Sequence, residues 1–208
     1  MRNTDFWNNE GAQKVFTHPI CSEWMSCLDR KASILDLGCG YGRLTPHLKN
    51  AGFSNIFGYD PCSPFVERAI RDNPGASYTT RAETLSGKFY DLILCFALFT
   101  SCPSSEEQNE LITLINGLTR ENAYLYISDY ETHDNPHYKE RYEQRKLGTY
   151  GCFVSGPAVF RHHKQSHFDR LFPEWEKLKE RKLASKTLNG NDIVVHQYLY
   201  MRKLCRTR

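Results

Sequence analysis

The sequence lacks the features of a membrane or secreted protein. It contains no run of about 18 consecutive apolar residues, the length that a transmembrane helix requires. Its N-terminal segment, MRNTDFWNNEGAQK, has no apolar centre of the kind found in secretion signals. We therefore expect a cytoplasmic protein with no membrane partner.

Closely spaced cysteines are also absent. The eight cysteines include no C-x-x-C pair, and several lie in predicted strands or in a glycine-rich loop. Disulfide frameworks and zinc sites usually show such spacing. His133 with His137 and His163 with His167 have i,i+4 spacing, but we find no cysteine or acid in the same element that completes a ligand set. We expect reduced, mostly buried thiols in a cytoplasmic protein and no bound metal.

Internal repeats, low-complexity tracts and an obvious domain boundary are missing as well. A length of 208 residues fits one domain with a sizeable core, because domains usually have roughly 100–200 residues. We therefore expect residues 1–208 to form a single domain.

The most informative segment present is ILDLGCGYGRLTPHL, residues 34–48. A short apolar run reaches Asp36, and glycines follow at alternate positions, Gly38, Gly40 and Gly42. Glycine permits a tight turn and a close approach of the backbone to a ligand. Asp60 ends the next apolar run, 24 residues after Asp36, where a carboxylate can accept hydrogen bonds from ribose hydroxyls. The pattern predicts a nucleotide-type binding turn between a strand and a helix.

The glycine spacing distinguishes between ligands. A dinucleotide fingerprint reads G-x-G-x-x-G, whereas Arg43 stands at the position of its third glycine. The order D-x-G-x-G-x-G resembles motif I of the class I S-adenosylmethionine-dependent methyltransferases. A nicotinamide dehydrogenase fits this spacing poorly.

The remaining elements alternate between strand and helix, which predicts a doubly wound α/β sheet. We expect an interrupted helix over 11–30 and, from the Ser104 or Ser105 capping box, a helix to about Leu118. Strands are expected near 33–37, 55–60, 76–80, 89–97, 123–129, 175–184 and 193–203, with further helices at 42–51, from 63 and at 164–172. The resemblance implies a Rossmann-like, seven-stranded, mostly parallel sheet with an antiparallel last strand and helices on both faces.

The resemblance also implies S-adenosylmethionine as the cofactor. It places the methionine end over the glycine loop, the ribose at Asp60, and the sulfonium near the end of the fourth strand. Where the family often has Asp-Ala-Glu after the third strand, this chain has Arg81-Ala82-Glu83, which leaves only backbone contacts with the adenine. The cofactor residues expected in this way are Asp36, Gly38, Cys39, Gly40, Gly42, Asp60, Pro61, Ala82, Glu83, Cys95 and Phe96.

Three segments resemble acceptor-side parts of a small, largely bacterial subgroup of these enzymes. FTHPI (Phe16–Ile20) belongs to an N-terminal lid that spans residues 1–30 and contains helices. Residues 130–163, which end in Arg161-His162-His163, form a lid insertion after the fifth strand, beside the cofactor crevice. Asn189-Gly190-Asn191 marks a tight turn before the last strand.

Several side chains of these segments are candidates for catalysis. Histidine titrates near neutral pH and suits a general base, and an acid at the end of the fifth strand can contact substrate or anchor a lid. The candidates are His18, His162, His163 and Asp129. Phe6, Trp7 or Tyr41 could shield the sulfonium through cation–π attraction. Packing or hydrogen bonding within the lid is the alternative for the histidines.

Charge is distributed unevenly along the chain. Residues 161–208 contain 12 lysines and arginines against 5 aspartates and glutamates. This excess could attract nucleic acid. The segment EKLKERKLASK also fits an edge strand that lysine protects from aggregation, and we favour this second interpretation.

We expect methyl transfer to O, N or S of a small-molecule acceptor by a monomer or homodimer. The alternatives are a methyltransferase acting on RNA or protein, and a non-catalytic cofactor-binding interaction domain.

Overall fold

The structure, a computed structural model, describes residues 3–187 and 190–203, which form two sheets. The strands are β1 (Ile34–Leu37), β2 (Ile56–Tyr59), β3 (Ser77–Thr79), β4 (Tyr90–Phe96), β5 (Thr119–Tyr130), β6 (Cys152–Ser155), β7 (Ala158–Arg161), β8 (Trp175–Lys186) and β9 (Asp192–Arg202). The main sheet has seven strands in the order β3-β2-β1-β4-β5-β9-β8, and β6 pairs with β7 in a separate hairpin.

The direction of the strands confirms the predicted topology. Strands β1 to β5 pair in parallel, while β9 runs antiparallel to both of its neighbours, β5 and β8. The last two strands thus form the expected antiparallel pair at one side of the sheet. The carboxyl ends of β1 to β5 consequently meet at one edge, which is where ligands bind in sheets of this type.

Six α-helices accompany the strands in the described part of the chain. They are α1 (Thr4–Asn8), α2 (Thr45–Asn50), α3 (Ser63–Asp72), α4 (Ser105–Gly117), α5 (Pro136–Tyr142) and α6 (His167–Leu171). The capping box forms between Ser104 and Glu107, so α4 begins where the sequence predicted. No helix in the described residues has the length and hydropathy needed to cross a membrane.

Side chains from both faces of the sheet are buried. Leu35 of β1 packs in a cluster that includes Leu111 of α4 and Phe168 of α6. Its neighbour Ile34 points to the opposite cluster, which contains Leu48 of α2 and Met25. Burial on both faces explains why the central strands are continuous apolar runs and not alternating ones.

The N-terminal segment differs from the predicted helix over 11–30. Only α1 and short 3₁₀ turns at Gly11–Gln13 and Ser22–Met25 form. Pro19 disfavours helix at His18, and tertiary contacts supply other partners for the backbone. The N–H of Phe16 donates to Tyr41 Oη at 3.2 Å, and that of Cys21 donates to Tyr126 Oη at 3.1 Å. The segment is therefore an extended strap and not a pair of helices.

The insertion after β5 is a closed loop over the carboxyl end of that strand. It contains α5 and the β6–β7 hairpin. The N–H of His163 donates to Tyr130 O at 3.0 Å, and the N–H of Thr132 donates to His163 O at 2.9 Å, so the two ends of the insertion meet. Its aromatic side chains form a third apolar cluster with Phe6, Trp7 and Phe16 of the N-terminal strap.

Strand β8 lies at the edge of the main sheet, as expected for the lysine-rich segment. Most of its side chains from Glu176 onward are exposed or half-buried. The predicted turn before β9 lies partly outside the described residues, which include Gly190 and Asn191 but not Asn189.

Candidate functional site

The loop between β1 and α2 has the backbone that its glycines predict. Gly38 and Gly42 have φ values of +78° and +73°, a region that other residues rarely adopt. A Cβ at Gly38 would lie 2.9 Å from Leu98 Cδ1, and one at Gly42 would lie 2.8 Å from Asn73 Nδ2. The loop can therefore follow this path only where side chains are absent.

Asp60 fixes the loop against the turn that follows β2. One carboxylate oxygen accepts a hydrogen bond from the N–H of Gly40 and the other from that of Cys62, each at 2.9 Å. Burial raises the pKa of Asp60 to about 6, against the effect of these two N–H groups, which favour the charged form. The group is thus ionised at neutral pH and close to titration below it.

A cavity of about 320 Å³ opens beside this loop. Six residues of the expected cofactor set line it: Gly38, Gly40, Asp60, Pro61, Ala82 and Phe96. Further walls come from α3, α4 and the strap, among them Phe65, Leu111 and Trp7. A carboxylate beside a glycine turn, with mostly apolar walls, is suited to a nucleoside.

Five residues of the expected set lie outside the lining of this cavity. Cys39 and Cys95 are buried in the interior, which raises the pKa of both thiols, and Glu83 is exposed to solvent. Gly42 packs against Asn73 and the hydroxyl of Tyr78. The fifth, Asp36, lies behind the loop.

Asp36 is 2% exposed, and its Oδ2 has no hydrogen-bond partner within the described residues. Burial raises the pKa of Asp36 to about 7, while the positive charge of Arg43 acts in the opposite direction. This oxygen is thus a buried polar group for which the described residues supply no hydrogen-bond donor.

A second cavity of about 60 Å³ adjoins the first. Trp7, Phe16, Ala97 and Ser101 line both cavities, so the two are separated only by this shared wall. The other lining residues come from the turn after β4, the end of β5, the insertion and the connection between β8 and β9: Thr100, Tyr130, Tyr138, Arg141, Phe153, Ser155, Phe160, His162, Thr187 and Asn191. The smaller cavity is therefore a largely aromatic chamber next to the larger one.

The four candidate catalytic residues are not equivalent in position. His162 lines the smaller cavity, and its Nδ1 lies 2.7 Å from Tyr142 Oη. Burial, together with the nearby Arg141, lowers the pKa of His162 to about 3. The imidazole is consequently neutral at physiological pH.

His18 lies just behind the smaller cavity without lining it. Its ring meets that of Tyr130 edge to face at 4.5 Å, and its Nδ1 is 3.2 Å from Ser128 O. The Nε2 atom has no hydrogen-bond partner in the described part of the chain. Burial is the main cause that lowers the pKa of His18 to about 3, so this ring is also neutral.

Asp129 and His163 hold segments together away from both cavities. Asp129 accepts hydrogen bonds from the N–H groups of Thr100 at 3.1 Å and Tyr130 at 2.8 Å. Gln108 of α4 lies 2.9 Å from His163 Nε2 and accepts a hydrogen bond from His167 at 2.8 Å. Both Asp129 and His163 are fully enclosed, and burial raises the pKa of Asp129 to about 7.

The sequence did not single out several residues that line the cavities. In the larger cavity these include Tyr59 and Phe65, and in the smaller one Tyr138 and Arg141. The aromatic richness of residues 130–163 was the available signal. Assigning particular side chains to the cavity required the path of the insertion.

Comparisons with known proteins agree with this geometry. Residues 16–185 match the family described as Methyltransferase domain. The search for similar sequences among curated proteins gave no match.

Solved structures of methyltransferases share the fold. An S-adenosylmethionine-dependent methyltransferase from Methanosarcina mazei superposes with a TM-score of 0.78 at 23% identity, over 89% of this chain and 99% of that one. Magnesium protoporphyrin IX methyltransferase from Synechocystis, with bound S-adenosylhomocysteine, gives 0.69 at 15% identity, over 96% and 97%. The 1,6-didemethyltoxoflavin-N1-methyltransferase of Burkholderia thailandensis gives 0.67 at 16% identity, over 96% and 82%.

The family match extends over most of the chain, and the strand order and glycine loop agree with it. The resemblance of the sequence to the class I methyltransferases is thereby confirmed. The protein belongs to the methyltransferase-domain family, with the fold of the class I enzymes whose cofactor is S-adenosylmethionine.

Proposed function

We propose that this protein transfers a methyl group from S-adenosylmethionine to an O, N or S atom of a small-molecule acceptor. The observation that carries the proposal is the pair of adjoining cavities, separated by the shared wall of Trp7, Phe16, Ala97 and Ser101. One cavity has the size and polarity of a nucleoside site. The other is enclosed by the insertion and lies where an acceptor would meet the cofactor.

The residues of the larger cavity fit the cofactor. Its volume of about 320 Å³ falls in the range of roughly 300–1,000 Å³ typical of small-molecule sites. The glycine loop leaves room at Gly40, where a Cβ would meet only Phe16, at 3.8 Å. Asp60, which lines this cavity, would accept hydrogen bonds from the ribose hydroxyls.

When bound, S-adenosylmethionine supplies a methyl group on a positively charged sulfur, which becomes a neutral thioether once an acceptor lone pair forms the new bond. The chain contributes mainly by holding the two reactants in line, which can lower a barrier by roughly 7–11 kcal/mol. Trp7 and Phe16 exclude water from the shared wall, and their rings can stabilise the positive charge by about 0.5–2 kcal/mol.

We assign the general base to His162. Of the four candidates, it alone lines the cavity in which the acceptor would lie. When its Nδ1–H donates to Tyr142 Oη, the lone pair remains on Nε2. A pKa of about 3 makes this imidazole a weak base, but the acceptor becomes strongly acidic as its bond to the methyl group forms, so Nε2 can take the proton at that stage. Asp129 and His163 act as positioning residues, because they fix the end of β5 and α4.

The basic C-terminal third does not favour nucleic acid as the acceptor. Three of its six lysines form ion pairs with acids, among them Lys177 with Asp169 at 3.0 Å and Lys182 with Glu131 at 2.9 Å. Such pairing reduces the positive field that phosphate groups would require. The small volume of the second cavity also favours a small molecule over a polymer.

Two measurements test the proposal. Calorimetry with S-adenosylhomocysteine should show binding to the purified protein, and absence of heat at millimolar ligand would refute the cofactor site. Incubation of the protein with methyl-labelled S-adenosylmethionine and a cell extract should then label the fraction below about 3 kDa. Label found only in RNA or protein would replace the small-molecule acceptor by one of these polymers.

A further inference from the structure

We propose that the acceptor is a single-ring aromatic or heteroaromatic acid, with its ring among the aromatic walls of the smaller cavity and its carboxylate at Arg141 and Tyr138. This inference rests on the proposed function and names the class of molecule that it acts on.

Flat aromatic surfaces surround the smaller cavity. The rings of Tyr130 and His162 lie 5.2 Å apart and tilted by 33°, and Phe153 meets His162 edge to face at 4.9 Å. Phe160 meets Trp7 in the same edge-to-face manner at 6.0 Å. Planar rings bind well to such surfaces, because stacked and edge-to-face contacts add to the gain from burying apolar area.

Arg141 provides a positive charge without an acidic partner. Its guanidinium lies 4.5 Å above the ring of Phe153, and Nη2 donates to Val154 O at 3.2 Å. No carboxylate among the described residues forms an ion pair with Arg141, and none lines the smaller cavity. A guanidinium has five N–H donors, so several remain for the two oxygens of a carboxylate.

Tyr138 adds a buried hydroxyl group to the lining of the smaller cavity. The side chain is 3% exposed, and its Oη makes no hydrogen bond of good geometry within the described residues, although the side chains of Thr187 and Asn191 lie close enough to affect its pKa. An oxygen of a ligand would complete the hydrogen bonding of this group. Tyr138 and Arg141 are three residues apart on α5, so their side chains project from the same side of this helix.

The arrangement favours an acid over an amine. Aromatic cages commonly bind cations, but such sites do not usually contain an unpaired arginine. Here Arg141 lies in the lining, and no carboxylate of the described residues lines the cavity beside it. A protonated amine would be repelled by this guanidinium group, whereas a carboxylate would be attracted.

The volume restricts the size of the acceptor. A cavity of about 60 Å³ is smaller than the roughly 150 Å³ that holds a benzene molecule, so even one ring requires the lining side chains to shift. The acceptor can also extend between the side chains of the shared wall toward the larger cavity, where its reacting atom would meet the cofactor. Fused polycyclic molecules exceed this space.

The test uses matched probes on the protein saturated with S-adenosylhomocysteine. Benzoate, salicylate, 4-hydroxybenzoate and nicotinate are compared by calorimetry with the neutral benzamide, phenol and nicotinamide and with the cationic benzylamine. At least one acid should bind about tenfold or more tightly than its uncharged counterpart, as expected for a hydrogen bond to a charged group. Benzylamine should bind weakest.

Three variants test which side chains cause the preference for acids over their uncharged counterparts. Arg141→Met should remove it, while Arg145→Met should retain it, because Arg145 follows the same helix but pairs with Glu143 and lies outside the cavity lining. Tyr138→Phe should weaken acid binding several-fold and leave the binding of the uncharged counterparts unchanged, since only the hydroxyl is removed.

The outcomes separate the two proposals. If S-adenosylhomocysteine binds but no acid is preferred by tenfold, or Arg141→Met keeps the preference, the acceptor class is wrong and the methyltransferase proposal stands. If S-adenosylhomocysteine does not bind, the proposed function fails and this inference fails with it.

Discussion

Replacing Asp60 by alanine should weaken cofactor binding much more than it weakens the fold. In the unliganded protein the carboxylate accepts hydrogen bonds from Gly40 and Cys62, and it also lines the larger cavity. A hydrogen bond to a charged group is worth about 1.5–3 kcal/mol. Loss of a single ribose contact would therefore weaken binding by roughly 10- to 150-fold, and loss of two would weaken it further.

The cost to stability should be smaller, because water can reach the two N–H groups through the cavity once the carboxylate is gone. We expect a loss of about 1–3 kcal/mol in the free energy of unfolding. Asp60→Asn keeps one acceptor oxygen and should lie between the wild type and Asp60→Ala in both properties.

Calorimetry with S-adenosylhomocysteine and thermal unfolding measure the two effects separately. Asp91→Ala is the matched control, since Asp91 accepts hydrogen bonds from the N–H and hydroxyl of Ser33 at 2.7 and 2.9 Å and lies near the opposite end of β4 from the cavity. This control should bind the ligand normally. If Asp60→Ala also binds within twofold of the wild type, the assignment of Asp60 to the ribose is wrong.

The remaining predictions concern Asp60 and the two neighbouring histidines, His162 and His163. Because the pKa of Asp60 is near 6, affinity for S-adenosylhomocysteine should be constant above about pH 7. Below pH 6 it should fall by up to tenfold per pH unit, because protonation removes the hydrogen-bond acceptor. Asp60→Asn should abolish this fall in a calorimetric pH series. His162→Gln should lower the rate of methyl transfer by about 10²- to 10⁴-fold and leave S-adenosylhomocysteine affinity unchanged, as steady-state kinetics and calorimetry would show. His163→Ala should instead lower the melting temperature, because Gln108 loses a hydrogen-bond partner. A normal rate of methyl transfer in the His162→Gln variant would exclude His162 as the general base.

The sheet and the glycine loop could be predicted because their signals are local. The parallel strands are continuous apolar runs, and the capping box at Ser104 marks the start of α4. The loop needs positive φ at Gly38 and Gly42, a requirement that appears directly as glycine in the sequence. The antiparallel pair of β8 and β9 followed from the absence of a helix between the last two strands and from the family resemblance.

The N-terminal strap was predicted incorrectly, for an identifiable reason. Its apolar residues contact the glycine loop, α3 and the insertion, and do not form a face of one helix. Phe16, for example, packs against Tyr41 of the glycine loop and Phe65 of α3. Contacts between residues that are far apart in the chain override the local tendency to form helix, and no short pattern encodes them.

The sequence by itself determined the family, the binding turn and Asp60, since each depends on residues that are close together along the chain. Only the tertiary structure distinguished His162 from His163. The N–H of His162 donates to Gly151 O and that of His163 to Tyr130 O, so these neighbours have opposite surroundings. Successive residues of an extended chain project in opposite directions, and the closure of the insertion onto β5 decided which histidine lines the cavity.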